Sequence, residues 1–135
     1  MFVGEYQNSI DQKFRMIIPA KYRDELGLKC YITKGNDNCL NIYTVEEWAK
    51  FTEKLLELPS GKAAARQHIR KFTANAVEAD IDRQGRVTIP QKLRDMVGIS
   101  KEVVTVGCIN RIEVWSRGEW EKVLQIPDDE EYEEV

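Results

Sequence analysis

Residues 10–28 read IDQKFRMIIPAKYRDELGL, and at 81–99 the chain reads IDRQGRVTIPQKLRDMVGI. Nine of the nineteen positions are identical: Ile10/Ile81, Asp11/Asp82, Arg15/Arg86, Ile18/Ile89, Pro19/Pro90, Lys21/Lys92, Arg23/Arg94, Asp24/Asp95 and Gly27/Gly98. Ordinary composition gives about one match by chance, so the chain contains the same unit twice. The likeness continues past one extra residue in the second copy, where Thr33 matches Thr105, Gly35 matches Gly107, Glu47 matches Glu119 and Trp48 matches Trp120. A unit of about 50 residues rarely closes a core alone, so the two copies are expected to pack on each other about an approximate two-fold axis.

Both copies spell the same order of elements. A short extended segment (5–10 and 75–81) ends at Ile10 or Ile81, and a polar stretch follows. Arg15–Ile18 and Arg86–Ile89 are apolar and partly β-branched, which predicts a second strand. Pro19 and Pro90 suit the first turn of a helix, where the missing N–H costs nothing. That predicts short helices over Ala20–Leu26 and Gln91–Val97, with Gly27 and Gly98 as left-handed C-terminal caps. Strands are expected at Cys30–Lys34 with Cys39–Tyr43, and at Val103–Val106 with Arg111–Trp115. The first pair is joined by the hairpin-loop residues Gly35-Asn36-Asp37-Asn38. Thr44-Val45-Glu46-Glu47 and Ser116-Arg117-Gly118-Glu119 are capping boxes opening a further helix in each copy. Val45, Trp48, Phe51, Leu55 and Leu58 give the first of these an apolar face, with Trp48 and Trp120 as core anchors. After Pro59-Ser60-Gly61 one more helix, Lys62–Phe72, bridges the copies. The expected organisation is a first repeat over 1–58, a linking helix in 59–74, a second repeat over 75–127 and an acidic tail over 128–135.

The 135 residues carry a net charge of −3, with 42% hydrophobic and 32% charged residues, a soluble globular balance. No apolar run approaches the ~18 residues of a membrane span, and the start lacks the basic and apolar regions of a signal peptide. Cys30, Cys39 and Cys108 are odd in number and lack C-x-x-C, which points to reduced thiols in a cytoplasm and away from zinc. The tail, DDEEYEEV, holds six acidic residues; without it 20 basic residues face 17 acidic ones, a net of +3. A mildly basic body leaves nucleic acid open as a partner.

Catalysis finds little support. His68 is the single histidine, on a charged connecting helix, and no phosphate-cradling glycine loop is present. No carboxylate cluster repeats between the copies, so no metal or other cofactor is expected. What does repeat is D-x-x-x-R, Asp11–Arg15 and Asp82–Arg86, on a polar connection between strands, with Lys13 and Arg83 adding charge. Two such loops about a two-fold would project arginines onto one face, and the planar guanidinium binds phosphate and guanine edges. Alternatively each Asp pairs with its own Arg merely to pin the turn; the residues alone leave both readings open. Lys21, Arg23, Lys92 and Arg94 read as a salt-bridged, solvated helix face, as do Lys62, Arg66 and Arg70 on the bridging helix.

The duplicated D-x-x-x-R, apolar strand, Pro and short K-x-R helix resemble the MraZ family of bacterial transcriptional regulators. Asp11, Lys13, Arg15, Pro19, Tyr22 and Arg23 match its first signature, and Asp82, Gly85, Arg86, Ile89, Pro90, Leu93 and Arg94 its second. The likeness runs from Met1-Phe2-Val3-Gly4 to the second Trp helix. It implies an α+β fold: an AbrB-like swapped-hairpin β-barrel built from two internal repeats, with flanking helices, assembled as a ring-shaped homo-oligomer. It implies a non-enzymatic, cytoplasmic and nucleoid-associated repressor. Its partner would be double-stranded DNA, at short direct repeats upstream of the division and cell-wall gene cluster that includes its own gene. It implies that the D-x-x-x-R surface, and with it Arg15 and Arg86, contacts DNA; beside them Lys13 and Arg83 are expected to add DNA contacts, with Asp11 and Asp82 as structural residues of the motif. One departure is Phe14, where the family and the second copy (Gly85) carry glycine. A bulky aromatic resists positive φ, which puts in question whether the two loops share a conformation. A competing class is an AbrB-like antitoxin, but such proteins carry one copy and a long partner-binding tail. An enzyme pairing Asp11 with Asp82 as acid and base is a third reading; it requires Asp11→Asn to abolish activity with DNA binding intact.

Overall fold

A computed structural model describes residues 1–132; the last three residues of the expected acidic tail lie outside the described residues. The elements in order are β1 (Phe2–Ser9), β2 (Arg15–Ile17), α1 (Ala20–Leu26), β3 (Lys29–Lys34), β4 (Leu40–Thr44), α2 (Val45–Leu56) and α3 (Ala63–Thr73). The second half repeats the pattern with β5 (Val77–Asp80), β6 (Arg86–Thr88), α4 (Gln91–Val97), β7 (Glu102–Ile109), β8 (Ile112–Ser116) and α5 (Arg117–Leu124).

Strand pairing weaves the copies together. The large sheet runs β1-β7-β8-β4-β3-β5, the same sequence of equivalent strands read from either end. β1 lies antiparallel to the other copy's β7 from Phe2↔Ile109 to Ser9↔Glu102, and β5 lies against the first copy's β3. β4 and β8 meet at the centre, Leu40↔Val114 and Ile42↔Ile112. Apart from the two hairpins, every strand pairing joins one copy to the other, β2–β6 included. The α+β class is as expected, but the ladder ends at β1 and β5 and no closed barrel forms among the described residues. Pro19 and Pro90 lie just beyond β2 and β6 and lack the N–H that ladder pairing needs, so that ribbon stays three residues long and bridges no edge.

One face of the sheet turns Cys30, Ile32, Leu40, Ile42, Ile112 and Val114 into the core, where Met16, Ile18, Val87 and Ile89 of the ribbon region meet them fully buried. Each such side chain contributes about 1.5–3 kcal/mol through burial. The other face is covered by α2, α3 and α5. Tyr31 stacks on Trp48 at 5.1 Å, Phe51 on Tyr43 at 5.4 Å, and Phe72 meets Phe51 edge-on. Thr33 Oγ1 donates to the Phe72 carbonyl at 2.9 Å, fixing α3 to β3.

Several local expectations are corrected. Trp48 and Trp120 are half-buried, not core anchors, and Val45 on α2 is exposed. Pro19 and Pro90 occupy the N-cap position, one residue before the helix. Gly98 is left-handed (φ 70°, ψ 27°), whereas Gly27 takes φ 80°, ψ −154°. The capping residues act as read: Thr44 and Ser116 accept from the amides of Glu47 and Glu119 at 3.0 and 3.1 Å.

Candidate nucleic-acid interface

Each D-x-x-x-R is a stapled turn. Asp11 Oδ1 accepts from the amides of Lys13 and Arg15, both at 2.9 Å, and Oδ2 accepts from Arg15 Nε at 2.8 Å. Asp82 repeats this with Gln84, Arg86 and Arg86 Nε at 2.9, 2.9 and 2.8 Å. The Arg15 amide leads in holding the Asp11 carboxyl below its usual range; partial desolvation opposes it, while the Arg15 side chain and Lys13 amide reinforce it. The Arg86 amide leads in the same way for Asp82. The Asp–Arg pair therefore does pin the turn, and it does so in both copies. Pinning leaves the rest of the guanidinium free: among the described residues neither Nη atom of Arg15 or Arg86 has a hydrogen-bond partner.

The turns feed the β2–β6 ribbon, and the pleat decides where the arginines point. Met16 and Val87, paired at its centre, face the core, so Arg15, Ile17, Arg86 and Thr88 share the outer face. Arg15 pairs with Thr88 and Arg86 with Ile17, so the two arginines lie two residue steps, about 7 Å, apart along the ribbon. Lys13 and Arg83 are exposed at the turn tips. Of the site residues expected from the sequence, Arg15 and Arg86 thus share the outer face of the ribbon, and Asp11, Lys13, Asp82 and Arg83 lie in the two turns at its ends.

Phe14 takes φ 62° and Gly85 φ 77°, and their amides donate to the Asp11 and Asp82 carbonyls at 3.0 and 2.9 Å. The two loops share one conformation despite the different residue. Each also reaches across: the Phe14 carbonyl accepts from Ile89 N at 2.9 Å, and that of Gly85 from Ile18 N at 2.8 Å.

Arg23 and Arg94, read as a solvated helix face, belong to this surface. Their Nε atoms donate to the Ile18 and Ile89 carbonyls at 2.9 and 3.0 Å, and neither joins an ion pair among the described residues. Arg94 lies 3.8 Å over the Phe14 ring, and Arg23 lies against Gly85. Their exact repetition at the same register was the sequence signal for this role.

Nothing comparable gathers elsewhere among the described residues. His68 is exposed, edge-on to Phe72. Burial pushes the Cys30 and Cys39 thiols up to about 12 and that of Cys108 to about 11, so none is nucleophilic at neutral pH. No group of three or more His, Cys, Asp or Glu side chains is placed to hold a metal among the described residues.

Fold and site together define a class: a duplicated, strand-exchanged α+β module that displays a basic two-stranded ribbon. A family model described as "MraZ protein, putative antitoxin-like" matches the chain twice, over residues 1–71 and 72–134. A "Transcriptional regulator MraZ" from Moorella thermoacetica is 48% identical over 130 residues, 96% of this chain and 91% of that protein. One of the same name from Halothermothrix orenii is 46% identical over all of this chain and 94% of its own. The chain belongs to the MraZ family. A Pyrococcus horikoshii protein solved in solution overlaps 84% of this chain and 88% of its own at 18% identity, with a TM-score of 0.34, too low to bear on the fold.

Proposed function

We propose that this chain is a sequence-specific DNA-binding transcriptional regulator whose contact surface is the β2–β6 ribbon with its two stapled turns. The observation that carries the reading is the placement of Arg15 and Arg86 on one outward face, each held by its own aspartate. A two-stranded ribbon fits the ~12 Å major groove, where arginine reads guanine O6 and N7 bidentately. The Nε–carboxylate bond fixes each guanidinium before binding, so little side-chain freedom is lost on contact. Lys13, Arg83, Arg23 and Arg94 surround the pair with charge for the phosphates on either side. The relatives' printed name supports regulation of transcription.

The finer reading is that the exchanged β1 and β5 strands are those of an AbrB-like swapped hairpin. Copies would close head-to-tail into a ring that repeats the ribbon along short direct repeats, multiplying modest single contacts. The target would be the division and cell-wall gene cluster that includes the protein's own gene, repressed in the cytoplasm at the nucleoid. No helix among the described residues is long and apolar enough to cross a membrane.

Arg15→Ala combined with Arg86→Ala is expected to weaken binding to the duplex upstream of the protein's own gene by about 30-fold or more, taking about 1–3 kcal/mol per lost contact, with the oligomer intact by sedimentation. Unchanged affinity in the double variant would overturn the site assignment.

A further inference from the structure

The two turns have one backbone and two different tips. Phe14 adopts a left-handed conformation that bulky residues rarely take, and its ring stands 46% exposed at the turn tip. It is not free to fold away. The Arg94 guanidinium lies 3.8 Å from the ring centroid, and Arg94 is itself tied through Nε to the Ile89 carbonyl at 3.0 Å. The ring is braced by Arg94 and remains partly open to solvent. At the other end of the ribbon the residue is glycine, and Arg23 fills the space beside it: a Cβ at position 85 would sit 2.3 Å from Arg23 Nε and 2.5 Å from its Cζ. The surface is therefore two-fold in its backbone and its arginines, but carries an exposed aromatic at one turn only.

Strained backbone collects where a surface is used for binding. A strained, braced and exposed aromatic next to Arg15 gains nothing further from packing within its own chain. The major groove presents one apolar group, the C5-methyl of thymine, and phenylalanine is among the side chains that contact it. We infer that Phe14, braced by Arg94, is a specificity-determining residue that packs on a thymine C5-methyl group beside the base pair met by Arg15. Because the second copy lacks this contact, the pseudo-symmetric surface reads its site in one direction. This rests on the DNA-binding reading above.

The test is selection of duplexes from a randomised library by the full chain and by Phe14→Gly, followed by anisotropy titrations. In these, each thymine of the enriched site is replaced in turn by deoxyuridine, which lacks only the methyl group. Both proteins are expected to enrich a shared core, with one thymine position specified by the wild-type chain alone. Deoxyuridine at that position weakens the wild type about fourfold, the factor one buried methyl is worth, and leaves Phe14→Gly unchanged. Where Phe14→Gly fails to fold, Phe14→Asn, whose side chain tolerates the left-handed turn, takes its place in both measurements. The inference is overturned if no deoxyuridine affects the wild type, or if Phe14→Gly keeps the same thymine preference. It is also overturned if the variant loses affinity equally for all sequences, which marks a sugar–phosphate contact. Enrichment of no motif by either protein overturns the DNA-binding reading itself, and this inference with it.

Discussion

At the scale of single residues the stapled turns work by matching a carboxylate to a set of donors that only the folded loop assembles. Asp11 and Asp82 each accept two backbone amides and an arginine Nε, and both titrate below the usual carboxylate range for that reason. Folded-state values lowered in this way give stability that is fully present above the unfolded value of about 3.9 and is lost as pH falls through the folded one. Urea midpoints measured from pH 6 to pH 2 should therefore fall in that acid window. Asp11→Asn with Asp82→Asn should flatten the fall by removing the titration; an unchanged acid limb would contradict the account. The third position of the turn sets a different limit. Glycine at 85 is favoured by φ 77°, and Arg23 lies where a Cβ would go and must shift to admit one. Gly85→Ala should cost about 1–2 kcal/mol in chemical denaturation, the worth of the left-handed strain. Phe14 bears that strain, and the stacked Arg94 offsets part of it, at about 0.5–1 kcal/mol for an exposed cation–π contact.

Among the elements, some were legible in the sequence and others were not, for reasons particular residues make plain. Helices α1 and α4 start and stop where Pro19, Pro90, Gly27 and Gly98 place them, because those signals are local. The capping threonine and serine were equally readable. Which strand pairs with which was not: the repeat announces two copies, but the exchange of β1 and β5 depends on partners about 50 to 100 residues away. Phe14 pointed the wrong way, since its side-chain preference argues against a turn that the Asp11 staple and the Ile89 amide impose regardless. Arg23 and Arg94 looked like any charged helix face until the fold laid them over the neighbouring turn. The exchange has a direct consequence. Residues 1–74 alone would leave β1, β2 and β4 without their partners β7, β6 and β8. That fragment should be unfolded by circular dichroism, or should pair with a second copy of itself in sedimentation. A folded monomer would contradict the interwoven sheet.

On the scale of the whole molecule, charge is arranged to make one surface matter. The net −3 of the chain hides a body of +3, and residues 128–135 supply the acidic excess. A body so mildly basic has little pull on DNA except where cations are concentrated, and the ribbon with its two turns is such a place. The proposed DNA binding there would release counterions from the phosphates, so its affinity should fall steeply with salt, while the proposed base contacts should make it depend on sequence. The most direct test is a gel-shift titration of the full chain at two salt concentrations, comparing the duplex upstream of its own gene with a scrambled duplex of equal composition. Preferential, salt-sensitive binding to the upstream duplex is the predicted result; equal and weak binding to both would contradict sequence-specific recognition by this surface.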